Sequence, residues 1–265
     1  MVDIGSYFDL SGQVAVVTGG ANGIAEASAE VLAAAGAAVV IGDIDAEGAE
    51  RTAERINSGG GRAVAQRTDT ASKADVDSLV DLAVSRYGRL DVMGNIAGVG
   101  YAKTIADTTE ADFDRIMAIN LKGVLFGCQA ALRIMGPAGG GSIINFASTA
   151  IDTPYPNQGL YGMAKTGVVY LTQVLAAEVG PQRVRVNAIA PGATPTHFGS
   201  FRYADGNMDA DKEAEFQERL RQVTPLGVVG EAMDQALMVL YLASPASRWV
   251  TGNTFRVNGG QSRAG

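Results

Sequence analysis

The chain has 265 residues, 47% of them hydrophobic and 18% charged, which supplies one sizeable core and excludes a disordered chain. Its 21 basic and 28 acidic residues leave a net charge of −7, which speaks against a nucleic-acid or other polyanion-binding surface. One cysteine, Cys128, and one histidine, His197, exclude an internal disulfide, a multi-cysteine zinc site and any metal centre built on several imidazoles.

The predicted elements alternate along the chain. Gln13–Thr18 is a β-branched run that stops at Gly19-Gly20, and Ile24–Ala35 follows as a helix closed by Gly36. Ala37–Gly42 is the second strand and Ala46–Asn57 the second helix. Arg62–Arg67 is the third strand and Lys73–Tyr87 the third helix. Asp91–Asn95 is the fourth strand, before a long helix over Ala111–Met135. Ser142–Phe146, a helix over Leu160–Val179, Val184–Ile189, a helix over Ala232–Ala243 and Thr254–Val257 complete the series. The longest apolar stretch, Val31–Ile41, is broken by Gly36 and far shorter than the roughly 20 residues of a membrane span. Met1–Gly12 holds Asp3 and Asp9 and no basic residue, unlike a signal peptide. A cytoplasmic protein without a membrane partner is expected.

Nearly all-apolar strands are buried on both faces, and strands that alternate with helices form a parallel sheet. The fold class is therefore α/β: a single doubly wound domain over residues 1–265, with a seven-stranded parallel sheet and helices on both faces. In such sheets the ligand lies beyond the carboxyl ends of the strands, so the residues just after each strand carry the functional information.

After the first strand comes Thr18-Gly19-Gly20-Ala21-Asn22-Gly23-Ile24-Ala25. Its glycines let backbone approach a pyrophosphate, and the first helical turn points free N–H groups at the anion. Asp43, after the second strand, can accept hydrogen bonds from both hydroxyls of an adenosine ribose and would repel a 2′-phosphate. No Lys or Arg stands among residues 20–25 or 42–46 to offset that repulsion. NAD is thus expected over NADP, with Ile44 beside the carboxylate. Asp69 and Thr70 follow the third strand, where Asp69 is placed to meet an adenine amino group, and Asn95-Ile96-Ala97-Gly98 makes a tight turn after the fourth. Each feature also has a plainer reading: a helix-opening turn, a solvated acidic loop, a structural turn.

Tyr161 and Lys165 share one helix face at i and i+4. A phenol titrates near 10, so acid–base work near pH 7 needs a shift of about 3 units, or about 4 kcal/mol. An ammonium about 4 Å away supplies roughly that at an effective dielectric of about 20. Ser148, at the carboxyl end of the fifth strand, can hold a carbonyl oxygen beside the phenol.

Thr18–Ala25, Asn95–Gly98, Asn120, Ser148, Tyr161, Lys165 and Pro191-Gly192 together resemble the short-chain dehydrogenase/reductase family, over about Leu10–Gly260. Thr224-Pro225-Leu226-Gly227, Val250-Thr251-Gly252-Asn253 and Val257-Asn258-Gly259-Gly260 are similar to it as well. The resemblance implies a Rossmann fold and hydride transfer between nicotinamide and a secondary alcohol or ketone. It implies Tyr161 as proton donor and acceptor, Lys165 lowering its pKa and binding the nicotinamide ribose, Ser148 orienting the carbonyl, and Asn120 anchoring a relay water. Cofactor contacts are expected from Gly19, Asn22, Gly23, Ile24, Asp43, Ile44, Asp69, Thr70, Asn95, Ala97, Gly98, Tyr161, Lys165, Pro191, Gly192, Thr194 and Thr196. Asn187 reads as a structural hydrogen bonder. Ala25, Ile96 and Asn258 depart from the pattern, which usually has Gly, Asn and Asp there.

Residues 193–223 carry no strand pattern and read as a substrate lid, with Phe198, Phe201 and Tyr203 as candidate pocket or packing residues and His197 at its base. Ser148, Ala150, Tyr155, Gln158 and Phe198 are the candidate substrate contacts, with Tyr101 nearby, for a medium-sized uncharged alcohol or ketone. A homotetramer, paired through the 111–135 and 160–179 helices, is implied by the resemblance alone. Two other functions remain open: an NADPH-dependent 3-oxoacyl thioester reductase, against which Asp43 speaks, and a non-catalytic dinucleotide-binding scaffold, which would need neither Ser148, Tyr161 nor Lys165.

Overall fold

The structure, a computed structural model, describes residues 2–195 and 210–262. Seven parallel strands form one sheet in the order β3-β2-β1-β4-β5-β6-β7: β1 (Val14–Thr18), β2 (Ala38–Asp43), β3 (Arg62–Arg67), β4 (Val92–Asn95), β5 (Gly141–Phe146), β6 (Val184–Ile189) and β7 (Thr254–Phe255). Their alternating side chains feed two cores. Val14 and Val16 of β1 face one side with α3 (Lys73–Tyr87), α5 (Gly123–Ala138) and α6 (Gly159–Val179). Ala15 and Val17 face the other with α1 (Gly23–Ala34), α2 (Ala46–Ser58) and α8 (Ala232–Ala243). Burying one such side chain as fully as Leu32 or Leu79 stabilises by about 1.5–3 kcal/mol. The predicted doubly wound sheet is the observed one, and the strand order reverses between β1 and β4, where the fold leaves a crevice.

Helix starts follow their capping residues. Ser72 accepts from the Asp75 N–H at the head of α3, and Thr109 with Asp112 forms a capping box on α4 (Glu110–Met117). The chain departs from expectation at the helix predicted over 111–135. α4 gives way to a π turn, Ala118–Lys122, before α5 begins. The Gly123 N–H reaches back to the Ala118 carbonyl, five residues away. The extra residue re-aims Asn120, whose amide is fully buried and clasps Val99 in both directions: Nδ2 donates to the Val99 carbonyl at 3.0 Å and Oδ1 accepts from its N–H at 3.1 Å. π turns of this kind recur at functional sites. The C-terminal part of the predicted lid is α7 (Ala210–Val223); Thr196, His197, Phe198, Phe201 and Tyr203 lie outside the described residues. Among the described residues no helix is long and apolar enough to cross a membrane, and no group of His, Cys, Asp and Glu could hold a metal.

Candidate active site

The glycine loop is shaped by its neighbours. Gly19 has φ +80°, and a Cβ there would come within 2.8 Å of the Ala97 Cα; only glycine fits. The Thr18 hydroxyl ties the two loops together, accepting from the Ile96 and Ala97 N–H groups at 3.1 and 3.3 Å and donating to the Gly94 carbonyl at 3.3 Å. Asn22 precedes α1 without capping it, while Glu26 accepts from the Gly23 N–H at 3.1 Å. Glu26 in turn pairs with Arg55, a contact that no short-range pattern signals. Ala25 is buried on the sheet side of α1 and is accommodated there.

Asp43 closes β2 beside this loop. Its Oδ2 accepts from the Ala21 N–H at 3.0 Å and Oδ1 from the Asp45 N–H at 2.9 Å. Those bonds fix the carboxylate and leave each oxygen a further lone pair for a ligand hydroxyl. Ile44 is exposed next to it. The β2–β3 register sets Arg67 directly opposite Asp43, with its guanidinium 3.8 Å from Asp75. Sequence reasoning missed this cation because it searched only neighbours in the chain. Asp69 is engaged within its own turn, Oδ1 accepting from the Ala71 N–H at 2.9 Å. The Thr70 carbonyl packs against Gly123 at the start of α5, where a Cβ would come within 2.9 Å of it.

Asn95 differs from expectation. The sequence places it among the cofactor contacts, whereas its side chain is buried on the α5–α6 face. There its Nδ2 donates to Asn145 Oδ1 at 2.9 Å, and Asn145 Nδ2 donates to Thr172 Oγ1 at 2.9 Å. Strand register makes this so, since Asn95 and Asn145 are adjacent partners on β4 and β5. Cys128 completes the network, with Sγ donating to Asn145 Oδ1 at 3.5 Å. Burial pushes its thiol up to about 12, leaving a packing group without reactive character. What Asn95 offers a ligand is the course of backbone into Ala97 and Gly98, both half-buried beneath the crevice.

The candidate catalytic groups meet at the carboxyl end of β5. Ser148 opens a short 3₁₀ turn, accepting from the Ala150 N–H at 3.2 Å, and its side chain hydrogen-bonds Tyr161. Lys165, one helical turn beyond Tyr161 on α6, is buried; its Nζ lies 5.7 Å from the Tyr161 ring centroid and donates to the Phe146 carbonyl at 2.8 Å. Burial pushes the phenol up to about 12 against the pull of Ser148, and lowers Lys165 to about 8. Burial thus moves both groups toward their neutral forms and opposes the lowering of Tyr161 expected from Lys165. Asn120 spends both ends of its side-chain amide on the Val99 backbone.

Beyond β6, the Pro191 carbonyl accepts from the Thr149 N–H at 3.1 Å and the Gly192 N–H donates to Val257 at 3.0 Å. Thr194 Oγ1 turns back to the Gly192 carbonyl at 3.2 Å. Gln261 holds the Ala193 N–H through Oε1 at 2.8 Å and Thr224 Oγ1 through Nε2 at 2.7 Å. Behind Ser148, Asp152 forms a two-pronged ion pair with Arg256, both bonds at 2.7 Å, and accepts from Ser262 at 3.0 Å. These long-range braces have no signal in a single sequence. Ala150 is half-buried next to Ser148, whereas Tyr155 and Gln158 are exposed on the loop leading into α6. Tyr101 bonds Thr108 at 2.8 Å and packs beside Leu160 and Ala164. Asn187 donates to the Val250 carbonyl at 2.9 Å, the structural role expected of it.

Residues 19–262 match a family model described as enoyl-(acyl carrier protein) reductase. The chain is 38% identical to a cis-4-hydroxycyclohexanecarboxylate dehydrogenase of Sinomonas cyclohexanicum, over 94% of this chain and 96% of that one. It is 35% identical to 3beta-hydroxysteroid dehydrogenase 1 of Eggerthella lenta, over 97% of this chain and 96% of that one. A solved structure of 7 alpha-hydroxysteroid dehydrogenase complexed with NADH and 7-oxo glycochenodeoxycholic acid matches with a TM-score of 0.90 at 32% identity, covering 100% of this chain and 99% of that one.

Proposed function

The chain belongs to the short-chain dehydrogenase/reductase family and is an oxidoreductase of CH–OH groups that uses a nicotinamide cofactor; on that footing we propose that it is an NAD(H)-dependent dehydrogenase of alicyclic secondary alcohols and their ketones. The observation that carries the chemistry is the buried Ser148–Tyr161 hydrogen bond with Lys165 one turn behind it. Tyr161 is the proton donor and acceptor at the substrate oxygen, and Ser148 holds that oxygen beside the phenol. Lys165 and the half-buried Pro191–Thr194 loop are the candidate holders of the nicotinamide end. Gly19 and the start of α1, where Asn22 makes no cap bond and Glu26 would have to release the Gly23 N–H, suit the pyrophosphate. When bound, the cofactor supplies or accepts the hydride at the carbinol carbon.

NAD is favoured because Asp43 is fixed at the loop by the Ala21 and Asp45 N–H groups. Arg67 supports the opposite reading, since it stands beside Asp43 in the sheet and could turn from Asp75 toward a 2′-phosphate. The alicyclic preference rests on the ring-bearing alcohols named for the relatives. A single catalytic domain assembled as a homotetramer is in keeping with apolar side chains left exposed on α5 and α6, among them Leu125, Tyr170 and Val174.

Calorimetric titration with NADH and NADPH tests the cofactor. Turnover on cyclohexanols, hydroxysteroids, an acyclic polyol and 3-oxoacyl and enoyl thioesters tests the substrate class. Tight NADH with cyclic alcohols supports the reading. Preference for NADPH with a thioester overturns it, and binding without turnover on any of these makes the chain a scaffold.

A further inference from the structure

A cleft of about 400 Å³ opens at the amino ends of β4, β5 and β6, lined by Arg89, Arg183, Arg185 and Arg248 and by a single carboxylate, Asp91. In a chain of net charge −7 this is a concentrated patch of the opposite sign. The carboxylate is already committed: Asp91 holds Arg89 through two bonds at 2.8 and 2.7 Å and accepts from the Val14 N–H at 2.9 Å. Arg185 has only neutral partners, the Ser247 hydroxyl at 2.8 Å and the Leu242 carbonyl at 2.7 Å. Burial lowers its pKa to about 10. The side chains of Arg183 and Arg248 have no hydrogen-bond or ion-pair partner among the described residues.

Partly burying a guanidinium without a counter-charge costs free energy that an anion would return. That cost falls on Arg185; Arg183 and Arg248 are exposed at the rim of the same cleft and add two like charges beside it. Arginine's planar fork suits phosphate and carboxylate oxygens, which it can grip with two parallel bonds. At about 30 Å³ per water, the volume admits a ligand of roughly a dozen heavy atoms.

We propose that this cleft binds a small oxyanion carrying two or more negative charges, of the phosphate or carboxylate type, held by Arg183, Arg185 and Arg248. The site is separate from the reactive centre. Ser142 lines the cleft at one end of β5, and Ser148 follows the other end, about 20 Å away at about 3.3 Å per residue. The inference therefore does not depend on the proposed reaction.

Trp249, the single tryptophan, follows Arg248 and is exposed, which puts a fluorophore next in the chain to a cleft residue. The experiment titrates the full chain with pyrophosphate and, separately, citrate, against sodium chloride at matched ionic strength, following Trp249 fluorescence and thermal unfolding. A saturable response to either oxyanion is expected, with a raised unfolding temperature. Pyrophosphate alone would identify phosphate chemistry, and citrate alone carboxylate chemistry. R183Q, which leaves the reporter's neighbour intact, should weaken binding at least tenfold, and R183Q/R248Q should remove it while the unliganded variant unfolds no earlier than the natural chain. A response that sodium chloride reproduces, or one that survives in the double variant, overturns the proposal; the latter would place the anion elsewhere, such as the glycine loop.

Discussion

Lys165→Met tests the cost of a buried ammonium. Burial lowers Lys165 from its ordinary 10.5 to about 8, a shift of about 2.5 units or about 3 kcal/mol. The folded chain holds this proton less tightly than the unfolded chain. The destabilisation is therefore fully present below about pH 8 and fades as pH rises toward 10.5. Methionine fills similar space but abandons the Phe146 carbonyl, which costs about 1–3 kcal/mol. Absolute stability of the variant is thus a poor readout, and its pH dependence is the sharp one. Urea unfolding of both proteins at pH 7 and pH 10.5 should show the natural chain gaining about 3 kcal/mol on the variant over that interval, other groups cancelling. A difference that stays flat within about 0.5 kcal/mol would mean that Lys165 keeps its ordinary affinity for the proton, and the argument from burial would fail.

Tyr161→Phe should lower kcat by at least about a thousandfold while NADH affinity stays within a few-fold, since only the proton is removed; stopped-flow turnover and calorimetry on one preparation check both. Asp43→Ala should weaken NADH about tenfold to a hundredfold, through loss of charge-assisted hydrogen bonds, and weaken NADPH far less; equal losses would make another residue, Arg67 first among them, the discriminator. Gly127→Ala would drive a methyl into Asn95 Oδ1 and should cost about 1–3 kcal/mol by overpacking; an unchanged denaturation midpoint would show that the Asn95–Asn145 network yields freely.

The strands and most helices were legible because their signals are local: apolar runs, stop glycines and capping residues within a few positions. The juxtaposition of Tyr161 and Lys165 was legible for a related reason, since one helical turn aligns them whatever the rest of the fold does. Other features depend on which strands become neighbours. Asn95 looks like a ligand residue until β4 lies beside β5 and Asn145 takes its amide. Arg67 matters to cofactor choice only because β3 registers on β2. The Asp152–Arg256 pair joins residues far apart in the chain, and the arginine cleft gathers side chains from the starts of separate strands. The π turn at Asn120 escaped because no glycine or proline marks it between Ala118 and Lys122.

The order of proton release decides how Tyr161 can work. Lys165 titrates at about 8 and Tyr161 at about 12, a gap of about 4 units or about 5 kcal/mol. At the 5.7 Å between Nζ and the ring centroid, attraction between ammonium and phenolate contributes about 3 kcal/mol at an effective dielectric of about 20. That is less than the gap, so burial places the release of the Lys165 proton before that of Tyr161. A sharp consequence follows for the unliganded protein. Tyrosinate absorbance, read as the difference between the natural chain and Tyr161→Phe, should show no ionisation of Tyr161 below about pH 11. Adding Lys165→Met to both should leave that titration in place, because the lysine is neutral before the phenol responds. A rise of a unit or more on removing Lys165 would show the ammonium still charged at the phenol's own pKa, and the order of release would have to be reversed.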